Sequence, residues 1–356
     1  MLPLKRLLEV AVLFGAVVVA SGVVRAAEPQ QPAWAYAIPP TLPPGAPPAP
    51  AVRDDGKLFS LPGTDRKFTL NQIRGRLDDD TLVRTAPADW YPGDHPQMPK
   101  IVAEGDNSRG VVACALCHYP NGKGRPENAS PAGLPKDYIV GQMHDFRVGL
   151  RRSSEPLKAN AQTMIDIAKG MTEEEIQAAA SYYSSMPWTP WIRVVEARTV
   201  PKTRSEGGIF VPLEGAAAGT EPMGGRIIET PENAERTETL RDPRSGFVAY
   251  VPIGAVAKGN AIVRSGGGKT IQCAICHGEH LQGIGSVPGI AARSPSYIVR
   301  QLRDIQQGAR NGVMAALMKP VVATLTADDM LNIAAYTASL PAPAPSAASR
   351  GTAPPP

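Results

Sequence analysis

Aromatic residues are scarce in this chain of 356 residues, only 5%, while Pro (37) and Gly (34) are plentiful. That scarcity excludes a large core packed from rings, and much of the chain is expected in loops around a limited compact part. A bulky buried group would make up the missing core volume. Basic runs are also absent. The formal net charge is +4 and the Lys and Arg residues are spread along the chain, which leaves no footprint for a nucleic acid. Beyond residue 24 no apolar stretch is long enough to span a bilayer. Cysteine is limited to four residues in two short motifs, so disulfides would amount to a pair of bridges at most.

The length suits two domains with sizeable connecting segments. The N-terminus carries Lys5 and Arg6, and residues 7–24 are apolar apart from Glu9 and small residues, the pattern of an export signal with a cleavage point after Ala26. These 18 residues also reach the lower edge of a bilayer span, so residues 1–26 read as a signal peptide or a retained N-terminal anchor. Both readings place the chain in the periplasm, free or tethered to the inner membrane.

The two cysteine motifs are Cys114-Ala115-Leu116-Cys117-His118 and Cys273-Ala274-Ile275-Cys276-His277. Export favours disulfides, but C-x-x-C-H is the attachment spacing of c-type haem. Two thiols three positions apart reach the two vinyl groups on one edge of a porphyrin, and the adjoining histidine is directed under the ring to bind iron. A zinc site would need further Cys or His in matching pairs, and only His95, His144 and His280 remain. Two haem c groups are therefore expected, one on Cys114, Cys117 and His118 and one on Cys273, Cys276 and His277.

An internal repeat points the same way. A shift of 159 residues superposes the motifs without a gap and also pairs Tyr138 with Tyr297, Gln142 with Gln301, Asp145 with Asp304, Gly149 with Gly308 and Arg151 with Arg310, which indicates a duplicated domain. After a five-residue length difference, Met164 and Met318 each stand eight residues before a Thr. Thr172 with Glu175, and Thr326 with Asp329, resemble capping boxes that open a helix. Ile176, Ala179, Ala180 and Tyr183 follow at helical spacing, as do Met330, Ile333, Ala334 and Thr337.

Over residues 87–186 and 252–340 these features resemble the class I cytochrome c fold and, in duplicated form, the tandem di-haem bacterial cytochromes c. The resemblance implies a mainly α protein, with two class I cytochrome c domains joined by a long irregular segment. Each domain would have a short helix before the motif, a Tyr-x-x-x-Gln helix along one side of the haem and a loop methionine as sixth iron ligand. His118 and Met164 would then bind the first iron and His277 and Met318 the second, with Met314 as a fallback. The family also implies a proline nine residues before the helix tyrosine. Pro288 fits, whereas Ala129 stands there in the first copy and implies a rearranged proximal loop. The helix before the motif is legible at residues 255–263 and weaker at 98–104. Met171, Met186 and Met330 read as core, His144 and His280 as exposed. The recurrence of Tyr138 with Tyr297, Gln142 with Gln301 and Arg151 with Arg310 reads most simply as common ancestry plus packing, with Arg151 and Arg310 also read as partners of haem propionates or as surface residues.

A thioether stabilises ferrous iron and closes the site to substrates. The function expected is thus electron transfer without bond chemistry, between a donor dehydrogenase or reductase and an acceptor. An enzyme, such as a peroxidase or a sulfur-compound oxidase, would need one open iron. A cytochrome subunit of a larger dehydrogenase or oxidase complex is the third reading, suggested by the additional segments. Residues 27–86 read as a Pro-rich extension, with 28–50 an extended or disordered tether. Residues 187–251 read as an irregular strap anchored by Trp188 and Trp191, and residues 341–356 as a disordered Ala/Pro tail. The sequence names no particular redox partner.

Overall fold

The computed structural model describes residues 32–40, 53–78 and 84–342. The export segment 1–26, residues 41–52 of the extension and residues 343–356 of the tail lie outside the described residues. Among the described residues no helix is long and apolar enough to cross a membrane.

A 3-10 turn at Ala33–Ala35 is followed by β1 (Phe59–Ser60), β2 (Lys67–Phe68) and α1 (Leu70–Ile73). A first helical lobe comprises α2 (Lys100–Ala103), α3 (Cys114–His118), α4 (Lys136–Arg147), α5 (Ala159–Gly170) and α6 (Glu173–Ser184). Strands follow: β3 (Ile192–Ala197), β4 (Thr199–Pro201), β5 (Thr203–Glu206), β6 (Ile209–Pro212), β7 (Thr220–Pro222), β8 (Ile228–Pro231) and β9 (Phe247–Pro252). The second helical lobe holds α7 (Ala255–Ser265), α8 (Ala274–His277), α9 (Pro295–Gln306), α10 (Lys319–Val322) and α11 (Ala327–Ser339).

The closing helices form where their local chemistry directs. Thr172 and Glu175, and Thr326 and Asp329, make reciprocal side-chain-to-backbone bonds at the N-termini of α6 and α11. Each set satisfies two otherwise unpaired backbone N–H groups. The stripes of Ile176, Ala179, Ala180 and Tyr183, and of Met330, Ile333, Ala334 and Thr337, are buried. Met171 and Met186 are buried too. In the second lobe α7 crosses α11 at Gly259, where a Cβ would lie 1.9 Å from the Asn332 carbonyl oxygen. Only glycine permits that approach. The first lobe has the single turn of α2 in place of this crossing, closed by Gly105 at φ 69°.

Residues 187–251 are not the irregular segment expected from their prolines and charges. β3 pairs in parallel with β9, from Ile192 opposite Phe247 to Ala197 opposite Pro252, and β8 pairs antiparallel on the other edge of β9. β4 with β7 and β5 with β6 form two further antiparallel pairs. The central strand reads Phe-Val-Ala-Tyr-Val, β-branched and aromatic residues suited to a pleated buried surface, but its parallel partner lies so far back in the sequence that no hairpin signal marks it. Trp188 and Trp191 are buried in the first lobe's core, as anchors should be, beside Phe247.

The tether reading also fails for residues 32–40. Ala35 and Tyr36 are buried in the second lobe's core, and the Arg300 guanidinium donates to the Ala35 carbonyl at 2.6 Å. The short apolar run Ala-Trp-Ala-Tyr inside the proline-rich stretch supplies the burial that a solvated tether lacks. Further along, Leu61 and Ile73 of the extension cluster with Ala88, Trp90 and Tyr91 at the start of the first domain and with Leu240, and Trp90 Nε1 donates to the Leu240 carbonyl at 2.8 Å. Extension and strand segment thus clasp each other against the first lobe.

Candidate functional site

Each C-x-x-C-H stretch forms about one helical turn, and the chain leaves it at once with φ of 62° at Tyr119 and 85° at Gly278. The histidine rings are then fixed identically. His118 Nδ1 bonds the Ala129 carbonyl at 2.8 Å, and His277 Nδ1 bonds the Pro288 carbonyl at 2.8 Å. A carbonyl only accepts, so Nδ1 carries the proton and Nε2 keeps its lone pair for a metal. Burial pushes both imidazoles below their ordinary pKa, which favours the neutral, ligating form. The rearrangement expected around Ala129 does not reach this bond, because the acceptor is main chain and any residue supplies it.

A cavity of about 340 Å³ opens beside α3. Cys114, Cys117, His118, Tyr138, Lys158 and Met164 are among its walls. Much of the remaining lining is apolar, with Val112, Leu134, Ile139, Phe146 and Ile167. No disulfide joins any of the four cysteines. Burial pushes Cys114 up to about 12 and Cys273 up to about 11, so these thiols stay protonated and are poor thiolate ligands while remaining able to form thioethers. Among the described residues no three His, Cys, Asp or Glu side chains gather into a metal cage. This donor set, a neutral imidazole and two thiols on an apolar cavity, fits a porphyrin that brings its own iron. Met164 does not sit in a loop. It lies half-buried within α5, because the five additional residues of the first copy allow a three-turn helix whose Ile165, Ile167 and Ala168 are buried.

The second site is more open. His277 is buried, yet Cys276 is exposed and Ile275 is 65% exposed. Its counterpart Leu116 is half-buried, and the Arg241 guanidinium donates to the Leu116 carbonyl. Ile271, Ile284, Val313, Met314 and Leu317 are likewise exposed. Met318 ends the 3-10 turn Val313–Met318 and packs half-buried against the second core. His144 pairs with Glu173 at 2.9 Å on the surface, and His280 is exposed. His95 bonds Asp89 at 3.2 Å.

The two lobes meet with near two-fold symmetry. Arg151 donates to Tyr297 Oη at 3.0 Å and to Gln301 Oε1 at 3.2 Å. Arg310 donates to Tyr138 Oη at 2.9 Å and to Gln142 Oε1 at 2.8 Å. Main-chain bonds from Arg152 N to Ala309 O, 2.8 Å, and from Asn311 N to Leu150 O, 2.7 Å, and the bonds of Ser154 N and Oγ to Asp304 Oδ1, both 2.8 Å, add to the join. These arginines are packed rather than on the surface: each clamps the tyrosine and glutamine of the other repeat. Recurrence of all three residue types in both copies was the available signal, since a two-fold join needs donor and acceptors twice. Gly312 allows the close approach, as a Cβ there would lie 2.0 Å from Asp145 Oδ2. Arg293 of the second lobe adds bonds to the carbonyls of Ser130, at 2.5 Å, and Ala132, at 3.1 Å, and covers the Trp188 ring at 3.9 Å.

A family model described as Cytochrome c matches residues 102–187. The thiosulfate dehydrogenase electron acceptor of Stutzerimonas stutzeri (strain A1501) is 24% identical over 244 residues, covering 68% of this chain and 85% of that protein. Cytochrome c-554(548) of Halomonas halodenitrificans is 35% identical over 68 residues, 19% of this chain and 82% of that protein. A solved structure of thiosulfate dehydrogenase from Marichromatium purpuratum aligns with a TM-score of 0.43 and 25% identity, over 68% of this chain and 39% of that one. With two C-x-x-C-H turns in two matched repeats, the chain belongs to the cytochrome c family, as a tandem di-haem class I cytochrome c that carries electrons.

Proposed function

We propose that the chain is a periplasmic relay in which residues 87–186 and 252–340 each hold one covalent haem. His118 and Met164 bind the first iron, His277 and Met318 the second. The observation that carries this reading is the histidine geometry, repeated to the same distance and the same sequence offset, with Met164 in the wall of the cavity that His118 enters. Bound haem supplies reversible one-electron chemistry. The chain's own residues anchor it through the cysteines, orient the imidazoles through main-chain carbonyls, and exclude water with the apolar wall, which limits the reorganisation that accompanies each change of charge. Export by residues 1–26, which lie outside the described residues, would deliver the chain to the periplasm.

The unequal exposure of the two motifs supports a division of labour. The second haem, at the exposed Cys276 edge, exchanges electrons with partner proteins, while the first, behind the strand segment, receives and returns them internally. The relative named as an electron acceptor for thiosulfate dehydrogenase supports a dehydrogenase of reduced sulfur compounds as donor, with this chain as its partner or as a subunit of their complex.

A spectroscopic redox titration tests the ligand set. The ferric protein is expected to show the methionine-to-iron band for two haems, and the ferrous protein to ignore carbon monoxide. Met164→Ala and Met318→Ala are each expected to remove half of the band, open one iron to carbon monoxide and lower the potential of that haem, since the neutral soft donor that favours ferrous iron is gone. Carbon monoxide binding by the unaltered protein would overturn the closed-site reading.

A further inference from the structure

Lys158 has a setting that a structural role does not explain. It is about nine-tenths buried, caps the N-terminal end of α5 and lines the 340 Å³ cavity. Among the described residues its ammonium makes no hydrogen bond or ion pair; only its backbone is engaged, the N–H donating to the Glu155 carbonyl at 3.0 Å and the carbonyl accepting from Ala161 N at 3.3 Å. A buried, uncompensated ammonium is costly, and such groups are normally paired or lose their proton. The nearby fixed charges do not solve the problem. Arg300 adds like charge, its own guanidinium being spent on the Ala35 and Pro126 carbonyls. Arg125 is also cationic and shares Glu127 and Glu238. Glu127, the carboxylate nearest in influence, is held through Oε1 by Arg125 while its Oε2 is buried without a hydrogen-bond partner, so a Glu127→Gln background is part of the test. Burial, with Arg300, pushes Lys158 down to about 7, as expected of a cation that lacks its counter-ion. The second copy has no equivalent, because Lys158 falls in the region of the five-residue length difference. Leu317 stands at the position reached by the motif's shift, and Gly312 at that reached by the methionines' shift.

Building on the proposed first haem site, we infer that Lys158 is the positioning residue for a propionate carboxylate of that haem. The group that fills the cavity brings carboxylates, and the cavity wall already offers one ammonium that no side chain pairs. The pairing neutralises a propionate charge in the first site alone. An unscreened propionate stabilises ferric iron, so this ion pair holds the first haem's potential above the value it would otherwise have.

The test is a redox titration of the intact two-haem protein with haems assigned by their ferric NMR methyl resonances, comparing Lys158→Met, Lys158→Arg and Glu127→Gln. Lys158→Met is expected to make reduction of the first haem about tenfold less favourable, which is about 59 mV for one electron, with the second haem's equilibrium and both methionine bands unchanged. Lys158→Arg should restore the unaltered potential, and the Lys158→Met shift should persist in a Glu127→Gln background. No shift with both haems bound and methionine-ligated overturns the inference while leaving the relay intact. A shift abolished by Glu127→Gln overturns it by making Lys158 a counter-ion of Glu127. A first-haem methionine band that appears only in Lys158→Met also overturns it, because the lysine would then be an iron ligand. If the unaltered protein lacks one haem or both methionine bands, the failure lies in the proposed sites.

Discussion

A chain carrying Cys114→Ala and Cys117→Ala is expected to bind half the haem of the unaltered protein and to lose fixed packing in its first lobe. The size of the effect follows from the cavity. At about 24 cal/mol per Å³ of unfilled volume, 340 Å³ costs about 8 kcal/mol, comparable with the roughly 5–15 kcal/mol that holds a whole domain folded. Haem-to-protein absorbance reads the stoichiometry, and hydrogen exchange reads the packing. Amides of α4, α5 and α6 should lose protection, while those of α7 and α11, which pack on each other through Gly259, should keep it. Full protection of α4–α6 without haem would show that the lobe closes its own core, and the fold would then not depend on the cofactor.

Arg310→Met is expected to lower stability by about 3 kcal/mol, seen as a lower urea midpoint. The substitution removes three charge-assisted bonds, to Tyr138 Oη, Gln142 Oε1 and Gln301 Oε1, and leaves Tyr138 Oη and Gln142 Oε1 without their donor in a half-buried join. Arg151→Met removes the symmetry-related pair and should cost a similar amount. The two together should change the slope of the transition as well as its midpoint, because lobes that no longer hold each other unfold separately. A loss below about 1 kcal/mol for both single variants would mean that the main-chain bonds, the Ser154–Asp304 bonds and the Arg293 contact carry the join.

How much was legible in the sequence depends on how far apart the interacting residues are. Cys114, Cys117 and His118 declare themselves within five positions, and the capping boxes of Thr172 and Thr326 within four. The repeat placed Met164 and Met318 by register, and structure puts Met164 in the same cavity wall as His118. The helix that carries Met164 was missed because the family's loop was carried over onto five additional residues. The strands of residues 192–252 were missed because β3 and β9 are parallel and separated by most of the segment, so each half looks like a charged, proline-broken loop when read alone. Tyr36 was read as part of a tether for the same reason: the core that receives it, around Val299 and Ala334, lies at the other end of the chain.

The sequence alone determined that this is a di-haem cytochrome c with duplicated C-x-x-C-H motifs, since motif spacing and helix capping are short-range chemistry. Only the tertiary structure decided that Arg151 and Arg310 clamp opposite repeats, that the strand segment shields the first motif while the second stays open, and that Lys158 is largely buried in the wall of the first cavity. Those features depend on which distant surfaces come together and exclude water. Burial of that kind sets the strength of a charge or an ion pair, and spacing along the chain does not encode it.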